Sequence, residues 1–192
     1  GRAGVRRSSP PDAQARLRSM REIIIIAGPN GAGKTSFANA YFPFAREGLL
    51  FVNADEIANE LRPHEGNVVH RDIRAGREML RRIDRLVEGR AEFMFETTLA
   101  SLSYAQKIPR WQKQDYYVSL IYLRLPNVEA SIERVRRRVL LGGHGIPERT
   151  IRQRFARSLL YLDEIYKPLV NDWSVWDSLE GSFRIAEMWD DE

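Results

Sequence analysis

The sequence predicts a three-layer α/β domain with a mostly parallel sheet. Residues 23–27 form a continuous apolar run, four of them isoleucine, which is typical of a strand buried on both faces of a parallel sheet. Strand and helix patterns then alternate along the chain, as in sheets that carry helices on both faces. A glycine-rich loop separates the first strand from the first helix. With 192 residues, the chain is long enough to bury the core of one such domain.

Six segments have the composition of β-strands. The first four span residues 23–27, 49–53, 93–95 and 116–123. Two later runs, 173–176 and 183–188, are joined through Glu180 and Gly181 and predict C-terminal strands. We therefore expect a five-stranded, mostly parallel sheet with strands added at its C-terminal end.

Helical patterns fill the intervals between these strands. We predict helices over residues 33–41, ending before Pro43, and over 54–61. A longer helix follows, and its apolar stripe, stepping by three or four residues, is expected to face the core: Val69, Ile73, Gly76, Leu80, Ile83 and Val87. Residues 102–114 also have a helical pattern, which Pro109 bends or splits.

Two further helices precede the C-terminal strands. The first carries an apolar stripe and ends at Gly142 and Gly143: Val128, Ile132, Val135 and Val139. Pro147 opens the second, which carries its own apolar positions: Ile151, Phe155, Leu159 and Leu162. The connector between these helices has three glycines in four positions, so we expect it to act as a hinge.

Charge and composition exclude several classes of protein. The net charge of +4 comes from residues 1–20, because the remainder carries equal numbers of basic and acidic residues. A neutral domain has no broad surface for following a phosphate backbone, so nucleic-acid binding is disfavoured. No apolar run is long enough to span a membrane, and the chain has no cysteine. We expect a cytoplasmic protein with a flexible basic leader over 1–19, or an expression remnant there, and a single folded domain over 20–192.

The loop after the first strand has the G-x-x-x-x-G-K-[ST] pattern of a P-loop. It consists of Gly28, Pro29, Asn30, Gly31, Ala32, Gly33, Lys34 and Thr35, with Ser36 directly after it. Backbone N–H groups of such a loop, together with the start of the helix, bind phosphates. Lys34 is expected to neutralise the β- and γ-phosphates of ATP, and the Thr35 hydroxyl to bind Mg²⁺.

Two acidic residues lie at the carboxyl ends of predicted strands, where parallel sheets bind their ligands. Asp55 follows residues 49–53, and we assign it as the base that accepts the proton of an acceptor hydroxyl. Glu96 follows residues 93–95, and we assign it to Mg²⁺, directly or through water, or to the acceptor. Asp55 could also, or only, cap the helix over 54–61, and Glu96 could be a strand-end carboxylate that faces water. Thr97 and Thr98 either line the acceptor pocket or cap the next segment.

Arginines on the two helices that flank the glycine-rich connector suggest a lid. Arg134 and Arg138 fall on one flank of the first helix, where like charges four residues apart repel unless an anion compensates. Arg154 has a similar position on the second helix. We expect these three to contact ATP phosphates when the lid closes. Arg136 and Arg137 are expected to form a solvated face, paired with Glu129, Glu133 and Glu148. His144 is expected to be an ordinary loop residue.

Several motifs together resemble the zeta-toxin-like P-loop kinases, in particular their short branch. The P-loop carries part of this resemblance, and six further segments carry the rest: 53–56, 95–101, 134–144, 146–148, 154–155 and 176–178. The resemblance implies a sheet order of 2-3-1-4-5 and ATP-dependent phosphorylation of UDP-N-acetylglucosamine. It also implies that Asp55 is the base, that Glu96 and Thr98 belong to the acceptor side, and that Arg138 and Arg154 contact phosphate. Long members of the family are toxins that a small antitoxin protein inhibits.

Other functions remain open at the level of sequence. The acceptor could be a nucleoside, a nucleotide, an antibiotic or another sugar. The domain could also be a regulatory ATP-binding module without catalysis, or a nucleic-acid-associated ATPase that uses the basic leader. A signalling GTPase is disfavoured, because the chain has no Asn-Lys-x-Asp motif for guanine.

Overall fold

The computed structural model describes residues 20–42, 49–61 and 68–190. The predicted leader over 1–19 and the predicted helix stop at Pro43 lie outside these ranges. Within them, no helix is both long enough and apolar enough to cross a membrane.

A single six-stranded sheet forms the centre of the fold. Its strands are β1 (Arg21–Ala27), β2 (Leu50–Val52), β3 (Phe93–Thr97), β4 (Tyr116–Arg124), β5 (Asp172–Leu179) and β6 (Ser182–Met188). They lie in the order β2-β3-β1-β4-β5-β6. The first five are parallel and β6 pairs antiparallel with β5. This confirms the α/β class and the 2-3-1-4-5 order, and the two C-terminal strands join this same sheet.

Seven helices are present in the described ranges: α1 (Lys34–Tyr41), α2 (Ala54–Leu61), α3 (Val68–Glu88), α4 (Ile108–Gln112), α5 (Val128–Leu140), α6 (Glu148–Tyr161) and α7 (Lys167–Leu169). A π-helical turn, Leu162–Tyr166, joins the last two. The predicted helix over 102–114 is too long. Residues 101–107 form turns, and Pro109 lies in the first turn of the short helix α4, where its missing N–H costs no hydrogen bond.

The isoleucine run of β1 is buried on both faces of the sheet, as predicted. Ile23 and Ile25 belong to one apolar cluster, which also receives residues of α3. Ile24 and Ile26 belong to a second cluster on the other face, with residues of α1. Successive strand side chains point to opposite faces, so one strand supplies both cores and the fold has three layers.

The predicted apolar stripes need two corrections. Along α3 the buried residues are Ala75, Met79, Ile83 and Val87. Ile73 is half exposed and Gly76 is exposed, because the helix is rotated so that Ala75 and Met79 meet the sheet. On α5, Ile132 and Val135 are buried but Val139 is 41% exposed, since the end of that helix extends beyond the core.

Candidate functional site

The P-loop joins β1 to α1 at the carboxyl edge of the sheet. Its backbone passes so close to β4 that a Cβ at Gly28 would lie 2.5 Å from the carbonyl oxygen of Leu123. A Cβ at Gly31 would lie 2.9 Å from the Cβ of Arg134. Both glycines have positive φ angles, 147° and 79°, which side chains rarely permit. The conformation of the loop and its close contacts with β4 and α5 therefore require glycine at both positions.

Two serines from later in the chain hold the P-loop in place. The Ser131 hydroxyl, on α5, donates to the carbonyl oxygen of Asn30. The Ser178 hydroxyl, near the end of β5, donates to the carbonyl oxygen of Ala32 at 2.8 Å. Both serines are buried. Sequence analysis missed them, because a serine in a helix or strand has no pattern that signals such a distant partner.

Lys34 is directed back onto the loop. Its Nζ donates to the carbonyl oxygens of Gly28 at 3.0 Å and Pro29 at 3.1 Å. Burial lowers the pKa of Lys34 below its ordinary value, and the charges of Glu96 and Asp55 partly oppose that effect. An ammonium group held this way is available to neutralise a phosphate that enters the loop.

Thr35 and Glu96 lie side by side at the start of α1 and the end of β3. The Thr35 hydroxyl donates to the carboxylate of Glu96 at 3.0 Å, and the Asn53 amide donates to the same carboxylate. Glu96 is only 8% exposed, and burial raises its pKa above the ordinary value while Lys34 and Thr35 oppose the rise. Asn53 was not predicted as a site residue, although it orients Glu96.

Hydroxyl and carboxylate oxygens are the ligands that Mg²⁺ prefers, so this pair fits such an ion. Among the described residues, no group of three or more His, Cys, Asp or Glu side chains could hold a metal without help. A magnesium ion here would therefore take its remaining ligands from water and from phosphate, as it usually does in nucleotide sites.

Asp55 lies in the first turn of α2 with its carboxylate 69% exposed. The helix cap is Asn53, whose side-chain oxygen accepts from the backbone N–H of Asp55 at 2.7 Å. The alternative role of Asp55 as the cap is therefore wrong, and its carboxylate is free to act elsewhere. It pairs with Arg138, whose Nη1 lies 3.8 Å from Oδ2.

The predicted lid arginines have different surroundings. Arg134 donates to the Ser178 hydroxyl at 2.8 Å and to the Ser178 carbonyl at 3.0 Å. Arg138 donates to the carbonyl oxygen of His144 at 2.9 Å, and its buried Nε has no hydrogen-bond partner in the described part of the chain. Arg154 forms no ion pair with any described residue, and neither does Arg157, one turn later on α6.

The other two arginines of α5 pair on the surface, as expected. Arg136 contacts Glu148 at 3.1 Å, and Arg137 contacts Glu133 at 3.0 Å. Glu129 pairs instead with Arg152, at 2.9 Å. These exposed pairs contribute little to stability.

Two adjoining cavities receive most of the predicted site residues. The phosphate cavity, about 300 Å³, is lined by Asn30, Gly31, Gly33, Lys34, Thr35, Ser36, Asp55, Glu96, Arg134 and Arg138. The second cavity, about 430 Å³, shares Asn30, Lys34, Asp55 and Glu96 with it. The names phosphate cavity and acceptor cavity are used for the two after the ligands that the sequence predicts for their residues. The acceptor cavity adds Thr97, Thr98, Arg154 and Arg157, among others. Of the remaining P-loop residues, Gly28 and Pro29 contact Lys34 through their carbonyls, and Ala32 is buried.

Thr97 and Thr98 thus line the acceptor cavity, and Thr97 also bonds to the non-helical segment that follows it. Its hydroxyl accepts from the backbone N–H of Leu99 at 3.0 Å. A third cavity, about 520 Å³, lies beside the phosphate cavity and shares Arg134 with it. It lies between the start of α5 and the turn after β5, and its lining includes Pro126, Ala130 and Leu179.

The chain matches the model of a known protein family. A family model described as "Zeta toxin" matches residues 12–167. The chain belongs to the zeta toxin family. An uncharacterized protein of Haemophilus influenzae Rd is 28% identical to this zeta toxin family member over 133 residues, which cover 69% of this chain and 91% of that protein.

Solved structures share the fold of this zeta toxin family member at low identity. A chain of the PezAT toxin–antitoxin system of Streptococcus pneumoniae superimposes with a TM-score of 0.63 and 16% identity, covering 92% of this chain and 77% of that one. The AvrRxo1-ORF1–ORF2 complex with ATP gives 0.68 and 16%, covering 92% and 61%. A gluconokinase from Sinorhizobium meliloti gives 0.52 and 18%, covering 83% of each chain.

Proposed function

We propose that this zeta toxin family member is an ATP-dependent phosphotransferase that moves the γ-phosphate of ATP to a hydroxyl of a small molecule. One observation carries the proposal. The P-loop lysine, the Thr35–Glu96 pair and Asp55 all line a phosphate cavity that shares four residues with a second cavity. A donor and an acceptor bound in these two cavities would meet at Lys34, Asp55 and Glu96.

In this proposal the phosphates of ATP lie in the P-loop, where backbone N–H groups and Lys34 bind them. The adenine base lies in the third cavity, beside Arg134, because that cavity adjoins the phosphates. Thr35 and Glu96 would hold Mg²⁺, which supplies positive charge against the transferred phosphoryl group. Together these groups place the γ-phosphate at the border with the acceptor cavity.

Asp55 would accept the proton of the acceptor hydroxyl while the oxygen of that hydroxyl forms a bond to the γ-phosphorus. The bond between that phosphorus and the bridging oxygen of ADP then breaks, and ADP leaves with its electron pair. The carboxylate of Asp55 is exposed and uncommitted to a helix cap, so it can reach a bound hydroxyl. Arg138 and Arg154 would stabilise the charge that spreads over the transferred group.

The first acceptor to test is UDP-N-acetylglucosamine. Its diphosphate matches two of the four arginines of α6, Arg154 and Arg157, which line the acceptor cavity without an ion pair to any described residue. Guanidinium groups bind phosphate well because their planar N–H groups match its oxygens. An acceptor that is a nucleotide or a phosphorylated sugar would use the same arginines, so it stands second.

We also propose an inhibitory protein partner, a cytoplasmic location and a single kinase domain over residues 20–192. The partner proposal is supported by family membership and by the structural neighbour from a toxin–antitoxin system. An antitoxin that covers the phosphate cavity would stop ATP binding. The absence of cysteine suits a reducing compartment. Deletion of residues 1–19 should leave kinase activity unchanged.

The decisive experiment measures ADP release from MgATP with and without UDP-N-acetylglucosamine, and identifies the sugar product by mass spectrometry. Acceptor-dependent ADP together with a sugar heavier by one phosphoryl group would support the proposal. ATP binding without turnover of this sugar would remove it as the acceptor, and a panel of nucleosides, nucleotides, sugars and antibiotics would follow. Failure of the whole panel would leave a regulatory ATP-binding module.

A further inference from the structure

A glycine lies in the interior of the longest helix, α3. Gly76 is flanked by helical residues on both sides, since α3 extends from Val68 to Glu88. Glycine is, after proline, the least favourable residue inside a helix. A glycine is required inside a helix only where the backbone has a positive φ angle or where another group lies too close for a side chain.

The described part of the structure provides neither reason. The φ angle of Gly76 lies outside the left-handed region, and a Cβ added there would meet no described heavy atom within 4 Å apart from its chain neighbours and the nearby backbone of α3. The neighbouring core positions of the helix are filled by Ala75 and Met79, which are buried against the sheet. Among the described residues, packing therefore leaves room for a side chain at residue 76.

That room belongs to the acceptor cavity. Gly76 lines it together with Ala75 and Met79 from α3, and Asp55 and Lys34 line the same cavity. Helix α3 contributes nothing to the phosphate cavity. A side chain at residue 76 would thus narrow the space for an acceptor and leave the residues that line the phosphate cavity untouched.

We propose that Gly76 determines which acceptors this enzyme can use, because the missing side chain leaves space that the body of the acceptor occupies against α3. This inference rests on the proposed kinase function, and it adds a residue that sets the size limit of the substrate. An acceptor in contact with the helix backbone at Gly76 would be sensitive to a single added methyl group, since one methylene in a binding pocket changes specificity by roughly 10- to 200-fold.

Two substitutions at residue 76 test the proposal, because the smaller one should raise thermal stability while it lowers catalytic efficiency. Gly76→Ala should raise the thermal midpoint of unfolding by about 2–4 °C, because alanine favours the helix. It should nevertheless lower kcat/KM for UDP-N-acetylglucosamine by roughly 10-fold. Gly76→Leu should lower kcat/KM for this sugar nucleotide further, while KM for ATP stays unchanged in both variants. Arg77→Leu, at the exposed neighbouring position, is the matched control and should leave both substrates unaffected.

The absence of native cysteine allows an independent test. A Gly76→Cys variant can be labelled with a methanethiosulfonate reagent, and an Arg77→Cys variant serves as its control. UDP-N-acetylglucosamine should slow labelling of the Gly76→Cys variant and leave the control rate unchanged. Labelling should abolish acceptor-dependent ADP release in the Gly76→Cys variant and preserve MgATP binding.

The outcomes separate this inference from the proposed function. Equal turnover by wild type, Gly76→Ala and Gly76→Leu would overturn the role of Gly76 and leave the kinase assignment standing. If the wild-type protein does not phosphorylate UDP-N-acetylglucosamine, that acceptor is wrong. The same variants are then compared on the first compound of the panel that gives acceptor-dependent ADP release. If no compound drives ADP release, both proposals fail.

Discussion

The hydroxyl of Thr35 lies 3.0 Å from Oε1 of Glu96 and donates a hydrogen bond to it. This contact joins the first turn of α1 to the end of β3. The register of the parallel pair, with Ile26 opposite Glu96 and Ala27 opposite Thr97, brings the two strand ends level. Asn53 donates to the same carboxylate from the start of α2. Helix α1 and the start of α2 are thus both tied to one carboxylate at the end of β3.

Lys34→Ala should abolish binding of MgATP, because the ammonium group is the cation placed on the P-loop carbonyls. Wild type should gain about 2.7 kcal/mol of stability at a ligand concentration 100 times Kd. Thermal unfolding with and without MgATP measures this gain. Lys113→Ala, at an exposed position outside the cavities, should keep it. An unchanged gain in the Lys34→Ala variant would remove the P-loop as the nucleotide site.

Asp55→Asn should keep ATP binding nearly intact and lower turnover by roughly 10²–10⁴-fold, because the amide cannot accept the proton of the acceptor hydroxyl. The helix should still form, since Asn53 supplies the cap. Initial rates of ADP release, together with ATP binding by calorimetry, make the comparison. Glu56→Gln, one residue later on α2, is the control and should behave as wild type. A wild-type rate for Asp55→Asn would exclude Asp55 as the base.

Glu96→Gln should weaken the binding of Mg²⁺, because the amide carries no charge for the ion. Titration of ADP release with MgCl₂ should show a raised half-saturation concentration and a lower maximal rate. Glu88→Gln, an exposed carboxylate of α3, should leave the titration unchanged. Identical magnesium titration curves for Glu96→Gln and Glu88→Gln would show that Glu96 has only a structural role, as a hydrogen-bond partner of Asn53.

The pH dependence of stability also tests Glu96. Burial raises the pKa of this carboxyl above 4.5 in the folded protein, so the folded state holds the proton more tightly than the unfolded chain does. Its contribution to the free energy of unfolding is complete below the ordinary pKa and is lost as pH rises through the raised pKa. Denaturant unfolding of the nucleotide-free protein from roughly pH 4 to 7 should show this loss in wild type and not in Glu96→Gln.

Arg138→Ala should lower kcat more than it raises KM for ATP, because an arginine that contacts the transferred phosphoryl group acts chiefly in the transition state. Steady-state kinetics with varied ATP separates the two constants. Arg136→Ala, on the same helix but paired with Glu148, is the control. A change confined to KM would make Arg138 a ground-state binder of ATP.

Ser178→Ala should loosen the P-loop. The hydroxyl of Ser178 donates to the carbonyl of Ala32 and accepts from Arg134, so its loss leaves a buried carbonyl unpaired at a cost of about 1–3 kcal/mol. We expect a lower free energy of unfolding and a higher Kd for ATP. Ser182→Ala, at an exposed position of β6, should change neither. A normal ATP affinity in Ser178→Ala would show that Ser131 alone holds the loop.

Local sequence patterns predicted the strands, most helices and the P-loop. A continuous apolar run such as 23–27, or a glycine–lysine pattern between a strand and a helix, depends on residues close together in the chain. Backbone geometry and burial restrict the residue types at these positions, so the elements can be predicted from the local sequence. Family membership followed from the order of such local motifs. The strand order came only with the resemblance, because local pattern carries no information on which strands pair.

Only the tertiary structure decided which residues meet. Asn53 caps α2 and orients Glu96, and Ser178 bonds to Ala32 across 146 positions of sequence. Gly76 faces a cavity although its spacing matched the core stripe. Contacts of this kind depend on strand order, on register and on the rotation of each helix about its axis. Those are properties of the packed chain, since many distant residues determine them together.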